Sequence, residues 1–292
     1  ATIFIDRACL PSAHDWLEKR PLRCAAELPP LGENSSISHP WIQDMVHVQT
    51  DEKGAATELV SAAGNASASA LAKRFGLVIA VSDVLLDGGN QLVGPDFRLV
   101  GHSSLKDGSG TGVDTNAVER SQQWQKVEAL DGRTVYSFGY RPEDLAVTEA
   151  TLDLSPAIQA PMAMVSRKMH QCGFHVDQFV SVTGLTQDNR PLLLVADPVA
   201  HAGCSIRMAT DLKRKLDASV LSLIRQGFAV RRNPIPVAPA IDSNKCIPRL
   251  YNNVILENVA RSGQKQPFVW LPHFGDGEAL EEFGEGNRQI WE

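Results

Sequence analysis

Apolar residues form two patterns along the chain, a four-residue repeat and short continuous runs. The first predicts helices and the second predicts strands, and the two alternate. Within Ile206–Gln226, apolar side chains return every four residues with lysines, arginines and aspartates between them, which is typical of an amphipathic helix. Gly227 is expected to end this helix. Ser67–Phe75 is a second, shorter helix candidate, with Gly76 as its stop signal.

Short apolar runs bounded by turn residues predict the strands. The clearest is Leu192–Ala196, which we expect Asp197 and Pro198 to end. A turn is predicted at Asp87–Asn90, and a stiff loop at the three prolines within residues 234–239. Alternation of helices and strands favours the α/β class. The remaining predicted strands, of which the first is expected to be buried, are Leu77–Val81, Gln91–Val93, Phe228–Val230, Leu250–Glu257 and Phe268–Leu271.

The segment Phe174–Thr183 carries the most informative polar pattern. His175 and Asp177 stand two residues apart at the head of an alternating apolar run. On a strand such residues point to the same face, so we expect the two side chains to share a surface that Ser181 continues. Burying such a pair is costly unless something binds there. The pattern therefore predicts a ligand site, and its alternative is an edge histidine beside a solvated aspartate.

Composition restricts the classes of function. The 292 residues are 43% hydrophobic and 21% charged, with no proline- or serine-rich linker, which predicts one globular domain over residues 1–292. No apolar run approaches the roughly 20 residues that span a bilayer, and no signal peptide is visible, so no membrane partner is expected. The net charge of -6 argues against nucleic acid as a partner and is compatible with a cationic substrate.

The cysteines give no metal or redox motif. They are odd in number and dispersed, without a C-x-x-C pair or a zinc spacing. This distribution predicts reduced thiols, most of them buried as small apolar residues, and a cytoplasmic location. The five positions are Cys9, Cys24, Cys172, Cys204 and Cys246.

Five segments, taken in their order along the chain, resemble a known family. They are Trp41–Asp44, Asp87–Val93, Gln159–Phe179, Leu192–Pro198 and Arg249–Asn258. Together they resemble the catalytic domain of the peptidylarginine deiminases and, more distantly, the agmatine deiminases of the same guanidine-modifying superfamily. The resemblance runs from about Trp41 to the C-terminus and leaves residues 1–38 poorly matched.

The resemblance implies a fold and a reaction. The fold is the pentein, a five-fold pseudosymmetric α/β propeller of ββαβ-like units with the active site in its central channel. The reaction is hydrolysis of the arginine guanidinium in proteins or peptides to citrulline and ammonia. Such chemistry needs carboxylates that hold the planar cation, a nucleophile that forms a covalent intermediate, and an acid for the departing ammonia.

The family's functional positions fall on six residues of this chain. Asp44, in a stretch similar to the family's W-x-Q-D, and Asp177 are the expected catalytic carboxylates, and His175 is the expected acid and base. The expected substrate-binding residues are Trp41, Arg98 and Asn90. A solvated surface arginine is the alternative for Arg98, and a purely turn-shaping role is the alternative for Asn90.

The expected nucleophile has no counterpart in the sequence. The family's cysteine lies in a glycine-rich, histidine-containing segment near the C-terminus, whereas no cysteine follows Cys246 here. We expect the cysteine, its loop and the closing strand to lie beyond Glu292, and the 292-residue chain itself to be inactive. The alternative is a non-catalytic relative, which we disfavour because Asp44, His175 and Asp177 are all present.

Cofactor and partner are also implied by the resemblance. Calcium-dependent members carry a carboxylate at the position of His47, a poor ligand for a hard cation, so neither a metal nor another cofactor is expected. The expected partner is an arginine-containing protein or peptide, and the oligomeric state is not predicted. Two other functions remain open: a small-molecule guanidine hydrolase acting on agmatine or free arginine, and a pseudoenzyme that binds arginine peptides.

Overall fold

The structure is a computed structural model that describes most of the chain. It describes residues 46–51, 55–61, 63–82, 84, 86–105, 122–145, 169–240, 245–257, 268–274 and 280–292. The chain divides into two compact units, Ala1–Gly88 and Gly89–Glu292. A single domain over residues 1–292 stays a prediction.

In the described part of the first unit, a three-stranded sheet is accompanied by one helix. The sheet has the order β1-β2-β3, with β1 antiparallel and β3 parallel to β2. Helix α1 begins after Asn65, whose side chain accepts a hydrogen bond from the Ala68 amide, and ends at Gly76 with a φ of 67°. The bounds are His47–Thr50 for β1, Ala56–Ser61 for β2, Ala66–Phe75 for α1 and Val78–Val81 for β3.

The prediction of a buried strand at Leu77–Val81 is wrong in its burial. Among the described strands β3 lies at the edge of its sheet, and Val78 and Val81 are 63% and 66% exposed. Leu77 and Ile79 do pack against the core of this unit, which Leu59 and α1 form. An apolar run alone does not distinguish an edge strand from a central one.

The second unit contains three further sheets among the described residues. Their strand orders are β4-β5-β6, β10-β9-β8-β7 and β11-β12. The first two sheets mix parallel and antiparallel pairs, and the third is antiparallel. The strands are β4 (Gln91–Val93), β5 (Phe97–Gly101), β6 (Thr134–Phe138), β7 (Val180–Gln187), β8 (Arg190–Ala200), β9 (Ala229–Pro239), β10 (Cys246–Pro248), β11 (Ile255–Glu257) and β12 (Phe268–Trp270).

Three helices whose bounds are described accompany these sheets in the second unit. They are α2 (Gln122–Glu128), α3 (Ile206–Arg225) and α4 (Glu281–Trp291). α3 connects the parallel strands β8 and β9, and it buries Leu216 and Leu223 in the core that Phe138 and Phe228 share. Gly227 follows α3 with a φ of 98°, a conformation that suits glycine. The α/β class and both helix predictions are confirmed.

Prolines lie inside strands where the sequence predicts strand ends or loops. β8 continues through Asp197 and Pro198, and β9 continues through the prolines of residues 234–239. β7 begins opposite Val195, so Pro198 lies beyond it, and β10 pairs only with residues 237–239 of β9. Proline has no N–H to donate, so a strand tolerates it where one of its two sides has no paired neighbour. Among the described residues, Pro198 is not paired with β7, and Pro234 and Pro236 are not paired with β10.

Two other strand predictions fail near polar residues. Within Leu250–Glu257 only β11 is a strand, because Tyr251 and Asn252 form a buried turn. Residues Val176–Gln178 form a single 3-10 turn, so the strand that follows His175 begins only at Val180.

The prediction of reduced cysteines is wrong for two of them. Cys204, before α3, and Cys246, at the start of β10, form a disulfide with Cα atoms 5.8 Å apart. Cys172 is a buried free thiol. Sequence spacing cannot reveal this pairing, because it depends on β10 lying beside the loop that leads into α3. Within the described ranges, no helix is both long and apolar enough to cross a bilayer.

Candidate functional site

Gln178 and Gly173 determine the backbone conformation around His175, which directly precedes a 3-10 turn. His175 has extended backbone, with φ -119° and ψ 151°, and the 3-10 turn Val176–Gln178 follows. Gln178 folds back so that its side-chain oxygen lies 3.5 Å from the His175 amide nitrogen. Gly173 has a φ of 74°, and a Cβ there would lie 2.2 Å from the ring of Phe179. A glycine is therefore needed two residues before the histidine.

His175 and Asp177 converge on the backbone of Gly89. A Cβ at Gly89 would lie 2.4 Å from His175 Nδ1 and 3.0 Å from Asp177 Oδ2, so both side chains rest against this glycine. The two residues thus share a surface, as predicted, but a 3-10 turn rather than a strand brings them together. Asp177 is 9% exposed, which places its carboxylate in a largely desolvated position.

A cavity of about 180 Å³ lies beside Asp177. Among the described residues that line it, Asp177 is the only one with a charged side chain. Two others, Ser181 and Asn252, have polar, uncharged side chains. The rest of the wall is aliphatic, and consists of Leu92, Val93, Val180, Val182, Val254 and Leu256. One carboxylate against aliphatic walls suits a cation with an alkyl stem.

The polar part of the cavity wall is hydrogen-bonded internally. Ser181 Oγ donates to the Asn252 carbonyl at 2.7 Å, and Asn252 Nδ2 donates to the Leu194 carbonyl at 3.1 Å. Asn252 Oδ1 accepts from Asn233 Nδ2 at 3.1 Å. These bonds hold the buried turn against β7, β8 and β9. Asp177 is therefore the group in this wall that is best suited to hold a cationic ligand.

Asn90 lies at the end of a 3-10 turn, Gly88–Asn90, and is 2% exposed. Its Nδ2 donates to the hydroxyls of Ser103 and Ser104 at 3.0 and 2.7 Å, and its Oδ1 accepts from Gln171 at 2.8 Å. A Cβ at Gly101 would lie 1.8 Å from that Oδ1, so only glycine fits there. These contacts shape the turn that presents Gly89, and contact of Asn90 with substrate stays a prediction.

Arg98 lies on β5 and pairs with Asp131. Arg98 Nη2 is 2.5 Å from Asp131 Oδ2, and Nη1 donates to Gln91 Oε1. Burial by itself would raise the pKa of Asp131, but the Arg98 charge and the hydrogen bonds from Arg133 and Arg98 outweigh it and hold that pKa below its ordinary value. The Arg98 side chain is 11% exposed. Contact of Arg98 with substrate stays a prediction.

Two of the predicted site residues, Trp41 and Asp44, lie outside the described residues. His47, where calcium-dependent relatives are expected to carry a carboxylate, begins β1 in the first unit. The assignments of Trp41 and Asp44, and the expectation of no calcium site, stay predictions.

Comparison with known proteins bears on the fold. No protein-family model matches the sequence, and neither does any curated protein. Among solved structures, C. jejuni agmatine deiminase is similar with a TM-score of 0.59 at 13% identity, over 99% of this chain and 72% of that one. A cysteine-to-serine variant of C. jejuni agmatine deiminase with substrate bound is similar with a TM-score of 0.56 at 11% identity, over 99% and 73%.

The chain therefore has a mixed α/β fold similar to that of agmatine deiminase. This similarity agrees with the expected fold at the level of its α/β class and its likeness to agmatine deiminase, and the propeller arrangement stays a prediction. Assignment to the peptidylarginine deiminases in particular stays a prediction.

The described cysteines are unsuited to act as a nucleophile. Burial raises the pKa of the Cys172 thiol to about 12, although Lys215 opposes the shift, so this thiol is protonated at neutral pH. Cys204 and Cys246 are joined in their disulfide. Cys9 and Cys24 lie outside the described residues. The thiolate that the expected reaction needs is therefore not among the described side chains.

Several residues that build the site have no predicted role. Gly89 is predicted only as part of a turn, and nothing in the sequence assigns a role to Gln171, Ser103 or Asn233. No local pattern reveals these residues, because Gln171 contacts Ser103 across 68 residues of sequence and Asn233 contacts Asn252 across 19.

Proposed function

We propose that this chain provides the guanidinium-binding and proton-transfer residues of a small-molecule guanidine hydrolase of the agmatine deiminase type. The observation that carries the proposal is the Asp177 carboxylate at the wall of an aliphatic cavity, with His175 beside it against Gly89. The shared fold with agmatine deiminase supports it.

The two side chains have separate roles in the proposed reaction. Asp177 accepts hydrogen bonds from two N–H groups of the planar cation and balances its charge. A thiolate then attacks the guanidinium carbon, a C–S bond forms, and one C–N bond breaks as His175 gives a proton to the departing ammonia. Water, deprotonated by His175, next attacks the same carbon and releases the ureido product and the thiolate.

The size and lining of the cavity support a small substrate. Pockets for drug-sized ligands occupy roughly 300–1,000 Å³, whereas this cavity occupies about 180 Å³. Its aliphatic walls suit the methylene stem of an alkylguanidine. Arginine within a protein, with citrulline as product, is the competing substrate class, and it would need contacts to the flanking peptide such as the expected one from Arg98.

Two finer expectations belong to this proposal. The first is the five-fold propeller arrangement of the strands, which an experimental structure tests. The second is that turnover depends on a thiolate other than Cys172, Cys204 or Cys246, because the first is protonated and the other two are disulfide-bonded. A second candidate function is a non-catalytic binder of guanidine compounds. It is favoured because Cys172 is protonated and Cys204 and Cys246 are disulfide-bonded, so none of these three cysteines supplies a thiolate.

A panel of ligands tests the proposal. Calorimetric titration of the chain with agmatine, free arginine and a blocked arginine peptide measures which class binds, and ammonia and ureido-product assays measure turnover on the same samples. We expect agmatine to bind tightest, with no turnover above background. Tighter binding of the peptide would support the protein-arginine reading, and failure of all three ligands to bind would contradict a guanidine site.

A further inference from the structure

Gln171 uses its whole side-chain amide in hydrogen bonds. Nε2 donates to Asn90 Oδ1 at 2.8 Å and to the Phe174 carbonyl at 2.9 Å. Oε1 accepts from the backbone nitrogen and the hydroxyl of Ser103, both at 2.8 Å. The Ser103 N–H can only donate and the Phe174 carbonyl can only accept, so these partners fix which way the amide points.

These four bonds join three separate segments of the second unit. Ser103 belongs to the 3-10 turn His102–Leu105, Asn90 ends the turn that presents Gly89, and Phe174 directly precedes His175. No regular strand or helix holds residues 171–175 in place. The Gln171 amide therefore supplies restraints that secondary structure does not supply in this stretch.

The restraints act on His175 from two sides. Through the Phe174 carbonyl, Gln171 fixes the peptide that enters His175. Through Asn90 it fixes the turn Gly88–Asn90. Gly89 in this turn is the surface against which the His175 ring and the Asp177 carboxylate rest. We propose that Gln171 is the positioning residue that sets the geometry of His175 and Asp177. This inference rests on the proposed function for the ligand that the pair holds.

A matched control exists elsewhere in the same unit. Gln226 is also half-buried and also bonds a backbone amide and carbonyl, with Oε1 accepting from Ser137 N at 3.1 Å and Nε2 donating to Ser137 O at 3.0 Å. Its Nε2 also donates to the Ser222 carbonyl at 3.2 Å. These bonds join β6 to the end of α3. Replacing Gln226 thus removes a comparable network without touching the segments that hold His175.

The test compares Gln171→Met with Gln226→Met, since methionine keeps the length of glutamine and removes its hydrogen bonds. Three quantities are measured: the denaturant midpoint, the ring ¹H–¹³C NMR signal of His175, and the dissociation constant for agmatine. We expect similar drops in the midpoint for both variants. We expect only Gln171→Met to shift the His175 signal and to weaken agmatine binding by roughly tenfold, the factor for one hydrogen bond to a charged group.

The outcomes separate this inference from the proposed function. An unmoved His175 signal in Gln171→Met, or an equal shift in Gln226→Met, overturns the positioning role. If the wild-type chain does not bind agmatine, the proposed function fails, and the His175 signal of the ligand-free variants still decides the role of Gln171. Gln171→Glu, which keeps the acceptor for Ser103 and loses the donors to Asn90 and Phe174, gives the same readouts if Gln171→Met does not fold.

Discussion

The imidazole of His175 lies against the backbone of Gly89, so closely that a Cβ on Gly89 would be 2.4 Å from His175 Nδ1. The same Cβ would be 3.0 Å from Asp177 Oδ2. One glycine thus defines the surface on which the imidazole and the carboxylate meet. This contact joins the turn before β4 to the turn before β7, which are more than eighty residues apart in sequence.

Gly89→Ala should disrupt the site more than the fold. The clash falls on a side chain, so the His175 ring can move aside while the backbone stays, at a cost of about 1–3 kcal/mol for the overpacking. We expect agmatine binding to weaken by roughly tenfold or more when this ring and Asp177 are displaced. Calorimetric titration and a denaturant melt measure the two effects.

Gly286→Ala is the control for that substitution. A Cβ at Gly286, on α4, meets nothing within 4 Å. Alanine is favoured over glycine inside a helix by about 0.5–1 kcal/mol, so this variant should be slightly more stable and should bind agmatine normally. Equal binding by both alanine variants would show that Gly89 does not support the site.

The sequence predicts two of the described helices, α1 and α3, well because their signals are local, whereas α2 and α4 are not predicted. The four-residue apolar period and Gly227 define α3 to within one residue of its observed end, and α1 is equally well bounded by Gly76. Strands are predicted less well, because a strand depends on its neighbours. Pro198 is tolerated inside β8 only because β7 begins opposite Val195, and no local pattern carries that information.

In the candidate site, too, local features could be predicted from the sequence and contacts between distant segments could not. The H-x-D spacing predicts that His175 and Asp177 share a surface, and this is observed, although by a different local geometry. The partners that fix them, Gly89 and Gln171, act through contacts between distant segments and carry no distinctive chemistry of their own. Their roles could not be read from residue type or spacing.

Arg98→Met distinguishes two substrate classes. If Arg98 contacts the carbonyl groups that flank an arginine side chain, the variant should bind an arginine peptide more weakly while its affinity for agmatine, which has no such carbonyls, stays unchanged. Asp131→Asn is the control, because it removes the ion pair with Arg98 but keeps the guanidinium. A parallel loss of affinity for both ligands in Arg98→Met would point to a structural role for the arginine.

The Cys204–Cys246 disulfide should stabilise the second unit. It closes a loop with a sequence separation of 42 residues, for which the chain-entropy estimate is about 4 kcal/mol, an upper bound when the reduced chain retains structure. We expect a lower denaturant midpoint in reductant, with no further decrease when Cys204→Ser is treated in the same way. A midpoint that reductant leaves unchanged would mean that the two thiols are reduced in the native protein.

Cys172 should make stability fall at high pH. Burial raises the pKa of its thiol from 9.0 to about 12 in the folded protein, so the folded state holds the proton more strongly than the unfolded state. Below pH 9 both states are protonated and the contribution to stability is complete. As the pH rises from 9 towards 12 only the unfolded state loses the proton, and the free energy of unfolding decreases.

The comparison with Cys172→Ala isolates this effect from other groups that titrate at high pH. The wild-type chain should lose more stability than the variant between pH 8 and pH 10.5, measured by urea melts at each pH. Iodoacetamide should also leave Cys172 unmodified in the folded chain at neutral pH and modify it after unfolding. Rapid modification of the folded chain at Cys172 would contradict a buried, protonated thiol.

One calorimetric experiment tests most directly whether the Asp177 carboxylate holds a small guanidinium ligand. Agmatine and putrescine, which carries an amine in place of the guanidinium, are titrated into the wild-type chain and into Asp177→Asn. We predict that the wild-type chain prefers agmatine and that Asp177→Asn, similar in size but uncharged, binds it at least roughly tenfold more weakly. Equal affinity for the two ligands, or undiminished agmatine binding by Asp177→Asn, would contradict the assignment of this cavity.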